Sequence, residues 1–240
     1  WDTAQTVTVT GVDDNLVDGT QNSTISISVV DVISDDTFDA VASQTFSASI
    51  TDDDVAGFTI VELEGSTAVD ESGTTDTFTV VLNAQPDSDV VLSIISSDTG
   101  EATVTSSLTF TSANWDTAQT VTVTGADDDL VDGTVSSTTT ISVVDAASDN
   151  NFDGVADQTV SVTTVDDDVA GFTIAETEGS TGVTEAGGTD TFTVVLNAQP
   201  DSNVVLSIAS SDTGEATVTG TVTFTPANWD TAQTVTVTGA

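Results

Sequence analysis

Residues 115–133 read WDTAQTVTVTGADDDLVDG: an alternation of Thr and Val, then three adjacent aspartates and a fourth set just before a glycine. From Thr120 to Thr124 apolar Val and polar Thr alternate at period two, the pattern of a pleated strand with one face turned to a core. Both residue types are β-branched and suit that surface. The alternation stops at Gly125, and Asp127, Asp128 and Asp129 begin there. A core-building strand is therefore followed at once by a charged loop.

The opening of this stretch, WDTAQTVTVTG, starts at Trp1, Trp115 and Trp229. A shift of 114 aligns residues 1–126 with 115–240 without a gap, and 97 of the 126 pairs are identical. That period is too long for a solenoid unit and matches one globular domain, so the chain is an array of domains. The expected division is 1–54, the second half of one repeat; 55–168, a complete repeat; and 169–240, the first half of another. With both ends in mid-unit, further copies on either side are expected.

Period-two segments recur at TFTVVL (77–82), VVLSI (90–94), SLTF (107–110), TISVV (140–144) and TVSVT (159–163), punctuated by Gly, Asp, Asn and Pro. No segment has an i, i+3, i+4, i+7 apolar face. The expected fold class is all-β: tandem Ig-like antiparallel β-sandwiches with about seven strands per 114-residue unit. Phe78, Phe110 and Trp115 are the large core candidates.

The 240 residues include 40 Asp and Glu, no Lys, Arg or His, and no Cys, Met or Tyr, for a formal charge of -40. Such a chain is expected to bind no nucleic acid. It lacks the groups for disulfides, Cys-ligated metals, a Ser-His nucleophile or a Schiff base. Only carboxylates and bound metal remain for catalysis, and a non-enzyme is expected. Hydrophobic residues make up 37% and are evenly spread, unlike a disordered acidic tail. No run of about 18 apolar residues exists, so no membrane insertion is expected, and no signal-peptide pattern is visible.

The acids sit mainly in loops: Asp127, Asp128, Asp129 and Asp132 after one strand, Asp166, Asp167 and Asp168 after another, and Glu71 of VDESG before one. Adjacent carboxylates repel unless a cation lies between them, and this chain has no Lys or Arg to supply one. Ca2+, with oxygen ligands and tolerance of irregular loops, is the expected occupant. A solvated acidic surface explains the net charge as well. It does not explain triplets recurring at the repeat offset. Asp149, Asn151, Asp153, Gly154 and Asp157 spell D-x-N-x-D-G-x-x-D, with the alternate ligands and the sixth-position glycine of an EF-hand-like loop. The preceding repeat has Asp35, Thr37, Asp39, Ala40 and Ser43 there, so calcium binding is expected in one copy and little or none in the other.

The order V-x-E-x-G (69–73), TFTVVL (77–82), LTF (108–110), VTVTGADDD (121–129) and DDDVAGF (166–172) resembles the Calx-beta domain, a family of sodium/calcium exchangers and large bacterial surface proteins. The resemblance implies calcium binding by Glu71, Asp128, Asp129, Asp166, Asp167 and Asp168, with Asp127 and Asp132 as additions. In the flanking halves it implies Asp13, Asp14, Asp18, Asp52, Asp53 and Asp54, and Glu185. The family's further Asp before the LTF strand is missing from GEATVTSSLTF, which leaves Glu101 or a backbone carbonyl to replace it.

The expected function is that of a calcium-rigidified extracellular shaft, adhesin stalk or filament. Neighbouring repeats are its partners, and fibre formation through the complementary half-sandwiches at the two ends is a further expectation. The alternative is an adhesive, ligand- or glycan-binding module, for which Phe38, Phe152 and Trp115 are the candidate aromatics.

Overall fold

The computed structural model describes residues 2–240. The first segment contributes a hairpin, β1 (Gln21–Ile27) with β2 (Gln44–Ile50). The middle repeat contains β3 (Phe58–Glu62), β4 (Thr67–Asp70), β5 (Thr75–Leu82), β6 (Val90–Ser96), β7 (Ala102–Val104), β8 (Ser107–Phe110), β9 (Gln119–Gly125), β10 (Val135–Val143) and β11 (Gln158–Val165). The last segment contains β12 (Phe172–Glu176), β13 (Thr189–Leu196), β14 (Val204–Ser207), β15 (Ala216–Val218), β16 (Thr221–Phe224) and β17 (Gln233–Gly239).

In the middle repeat a four-stranded sheet, β3-β5-β9-β7, and a five-stranded sheet, β4-β11-β10-β6-β8, close on one core. The alternation read from the sequence does this. Phe78 and Val80 of β5, Val121 and Val123 of β9, and Val90 and Leu92 of β6 are all 0% exposed, while their Thr and Ser neighbours face outward or lie half-buried. Each such side chain contributes ~1.5–3 kcal/mol by leaving water. Phe78 and Phe110 are core residues as expected. Trp115 packs half-buried against them, its carbonyl accepting the Leu82 N–H at 3.1 Å.

Two details differ from the sequence reading. Nine strands form rather than about seven, because β4 and β7 are only 4 and 3 residues long. The sandwich is also not wholly antiparallel: β4 pairs in parallel with β11, Val162 opposite Thr67 through Val165 opposite Asp70. The chain leaves the β3 sheet, crosses to the far edge of the other and returns as β5. Glu71 is thereby brought to the end of β11, its N–H bonded to the Val165 carbonyl at 3.1 Å.

The last segment repeats the register of the four-stranded sheet: Phe192 faces Val235 as Phe78 faces Val121. Its second sheet has only β14 and β16, and no strand forms at residues 181–184, where the middle repeat has β4. Phe172 is 52% exposed there, against 3% for its counterpart Phe58.

Candidate metal centre

Four segments meet at one end of the middle repeat. They are Glu71 after β4, Glu101 before β7, the loop Asp127–Asp132 after β9, and Asp166–Asp168 after β11. Backbone hydrogen bonds hold them. The Asp166 carboxylate accepts the N–H groups of Gly133 and Asp168, each at 2.7 Å, and Asp128 Oδ1 accepts the Leu130 N–H at 2.7 Å. Gly133 has φ +78°, a left-handed conformation that lets its N–H turn toward Asp166. The Glu101 carbonyl accepts from Ala126 N–H at 2.8 Å and the buried Thr164 hydroxyl at 3.3 Å, tying the β7 end to β9 and β11.

Carboxylate oxygens of Glu71, Asp166 and Asp168 lie within 4.8 Å of one another. Glu71 is 1% exposed and Glu101 7% exposed, and the Oε2 atom of each is buried without a hydrogen-bond partner. Burial, reinforced by Asp128, Asp166, Asp132 and Glu101, pushes the Glu71 carboxyl up to about 7. Burial, then Asp132, Asp98, Asp128 and Asp166, raises Glu101. Burial followed by Asp128 and Asp166 raises Asp132, to which Asp201 of the next repeat adds. Asp168 is raised by burial and by Asp129, Asp166, Asp167 and Asp127.

A buried, unpartnered carboxylate is costly unless protonated or paired with a cation. The chain has no Lys, Arg or His to serve as that cation. The donor set is all oxygen, gathered from four loops with two orphaned atoms among them, and it fits a hard divalent ion. Glu71, Asp166 and Asp168 would hold it, with Glu101, Asp128 and Asp132 adding negative charge.

Gly125 fixes the geometry. A Cβ built there would stand 1.9 Å from the Asp70 carbonyl oxygen, and its own N–H donates to the Thr74 carbonyl at 3.0 Å. Only glycine lets the end of β9 press against the turn that carries Glu71. A Cβ built at Gly239 would likewise stand 2.1 Å from the Thr184 carbonyl oxygen. Gly125→Ala is expected to cost about 2 kcal/mol of stability through forced separation and to weaken divalent-ion binding. Urea unfolding, with and without calcium, checks both.

The other expected site residues fall into distinct places. Asp127, Asp129 and Asp167 lie in the same tip loops and act on Asp168 by charge. Asp13, Asp14, Asp18, Asp52, Asp53 and Asp54 line one cavity of about 530 Å3 in the first segment. There Asp52 accepts the N–H groups of Asp18, Gly19 and Asp54 at 3.0, 2.7 and 2.9 Å, the last two as Asp166 accepts Gly133 and Asp168 one repeat later. Those bonds lower the Asp52 carboxyl, while burial and then Asp52, Asp53, Asp13 and Asp14 raise Asp54. Glu185 is exposed and joins no acidic group among the described residues.

The D-x-N-x-D-G loop is built differently from its spelling. Asp149 is 5% exposed and caps a 3-10 turn at Asn150–Phe152. Its carboxylate accepts three N–H groups, from Asp87 at 2.7 Å, Ser88 at 3.0 Å and Asn151 at 2.9 Å. Asn151 turns its amide away, donating to the Val17 carbonyl at 2.6 Å. Asp153 and Asp157 are exposed, and Gly154 is not among the glycines with positive φ. Asp149 thus holds the turn by backbone hydrogen bonds, while Asp153 and Asp157 face outward. Phe152, an adhesive candidate in the sequence, is 0% exposed, because it plugs the core beneath this loop. Phe38 is 57% exposed.

No protein-family model and no curated protein matches the chain. Among solved structures, CBD12 from CALX1.2 is similar with a TM-score of 0.34 at 16% identity, over 75% of this chain and 74% of that one. The apo-form Calx CBD1 domain is similar with a TM-score of 0.34 at 16% identity, over 46% of this chain and 98% of its own. Domains 4–9 of the surface layer protein SbsC give 0.33 at 20% identity, over 83% of this chain and 29% of that one.

Proposed function

We propose that the chain is a stretch of Calx-beta-like repeats in an extracellular shaft or filament, that it is non-catalytic, and that it is stiffened by calcium at the tips of its sandwiches. One observation carries this reading: the buried, unpartnered Glu71 Oε2 beside Asp166 and Asp168 in a chain without cationic side chains. A bound divalent ion supplies the positive charge these carboxylates lack. Glu71 anchors the end of β4, Asp166 and Asp168 the end of β11, and Asp128 and Asp132 the loop after β9. Their mutual repulsion otherwise spreads the tip.

The tip is also the junction. Asp168 is followed after two residues by Gly171, whose carbonyl already accepts the Asn197 N–H of the next repeat at 3.0 Å. No Gly/Ser spacer intervenes, so ordering the three tip loops orders the connector too. Extracellular calcium at millimolar levels suits sites of modest affinity.

Small-angle scattering of the chain tests this, in 10 mM calcium and in chelator at matched ionic strength, which screens bulk repulsion equally. The expected result is a longer, narrower distance distribution with calcium. Superimposable curves would rule the reading out.

A further inference from the structure

We propose that the loop Asp149–Gly154 is a clasp for the preceding repeat, and that Asn151 decides which junctions of the array are clasped. The proposal rests on the shaft reading above and names the contact that sets its geometry. Three segments converge at the first junction. Asn15–Val17 comes from the irregular segment after the first WDTAQTVTVTG stretch, Ala84–Ser88 is the turn after β5, and the third is the clasp loop. Leu16 pairs with Gln85 as a parallel bridge, the Gln85 N–H donates to the Asn15 carbonyl at 2.7 Å, and the Val17 N–H reaches the Gln85 carbonyl at 3.4 Å. Val17 packs half-buried against the core of the middle repeat. Asp149 holds the clasp on the same turn through the Asp87 and Ser88 N–H groups, and Asn151 closes it with its 2.6 Å bond to the Val17 carbonyl.

The second junction has the same bridge. Leu130 pairs with Gln199 in the same parallel register, and the Gln199 N–H donates to the Asp129 carbonyl at 2.7 Å. Val131, which corresponds to Val17, is 43% exposed and lines an open apolar cavity with Phe172, Ala198 and Leu206. The bridge forms at both junctions.

The residue at the clasp position differs between copies. The first segment has Thr37, whose N–H and hydroxyl both bond to Asp35 Oδ1, at 2.9 and 2.5 Å. A threonine engaged with its own cap is too short to reach a neighbouring repeat, whereas the Asn151 amide projects past the cap and donates outward. The acceptor is a backbone carbonyl, so the clasp accepts a preceding repeat whatever its side chain there. Repeats carrying Asn fix their predecessor, and those carrying Thr leave a hinge.

The chain has no native cysteine, so Ser26→Cys and Ser107→Cys, both exposed and outside the junction, allow spin labels across it. In calcium the full chain is expected to give one dominant distance. Asn151→Thr and Asn151→Ala are expected to raise the undocked population about fivefold, the ratio set by one net hydrogen bond. A label pair within the middle repeat, at Ser107 and Thr159, should stay unchanged and so separates undocking from unfolding. An unaltered Ser26–Ser107 distribution in both variants would overturn the clasp. Failure of the shaft reading has a different signature: scattering unaffected by calcium while the variants still undock.

Discussion

Chelating calcium is expected to lower the unfolding midpoint of the middle repeat by about 10 °C. An extracellular-type site with a dissociation constant of ~0.1 mM sits at about 100 times that value in 10 mM calcium. One ion then stabilises the fold by ~2.7 kcal/mol, provided the unfolded chain binds none. For a unit of this size each kcal/mol moves the midpoint by about 4 °C. The unfolded reference is favourable here, because Glu71, Asp128 and Asp166 are far apart in sequence and gather only when β4, β9 and β11 have docked. Calorimetry in calcium, in magnesium at equal ionic strength, and in chelator reads the effect. Magnesium is expected to recover less, since it prefers a near-ideal octahedron that irregular loops supply poorly. Equal midpoints in calcium and chelator would leave the acids as a solvated surface.

The strands that build the core were legible because Val and Thr alternate in TVTVT and because β-branched and apolar residues dominate TFTVVL and VVLSI. What escaped was short or long-range. Thr67–Asp70 carries little apolar pattern, and its strand exists because β11, 95 residues later, offers a parallel edge beginning at Val162. The tip was half legible. Asp triplets at strand ends pointed to candidate residues, and Glu71 of VDESG is buried beside Asp166 and Asp168. Only the fold shows that Glu101 is buried with an orphaned oxygen, since the three-residue strand β7 has no periodicity to reveal which side it buries.

The D-x-N-x-D-G stretch teaches a narrower lesson. An Asp that ligates with residues i and i+2 and an Asp that accepts the N–H of residue i+2 have the same spacing. Spacing therefore does not separate a cation loop from a capped turn. At Asp149 the carboxylate also accepts the backbone N–H groups of Asp87 and Ser88, some 60 residues earlier in sequence. The Asn151 amide, read as a ligand by its place in the pattern, points to the previous repeat instead.

Glu71→Gln is expected to reverse sign between the two ion states. Without calcium the folded chain holds the Glu71 proton more tightly than the unfolded chain does, since its carboxyl is raised from an ordinary 4.5 to about 7. Stability of the ion-free fold is thus full below the ordinary value, falls as pH rises between them, and stays low above about 7. Glu101, Asp132 and Asp168, raised by the same burial and crowding, push in the same direction. The lowered carboxyls of Asp35, Asp52, Asp70 and Asp190 act below that window and oppose it only in stronger acid. Calcium takes the proton's place, so the gap between the calcium and chelator midpoints is expected to close as pH drops from 8 to 5. Gln keeps the shape of the side chain and removes the charge. In chelator at pH 8 the variant should melt above the parent, with a flatter pH profile. In 10 mM calcium it should melt below the parent, having lost more than half of the ~10 °C ion-dependent rise. A variant that is weaker in chelator and keeps the full calcium shift would place the ion elsewhere than beside Glu71. It would also assign the burial of that carboxyl to the fold alone.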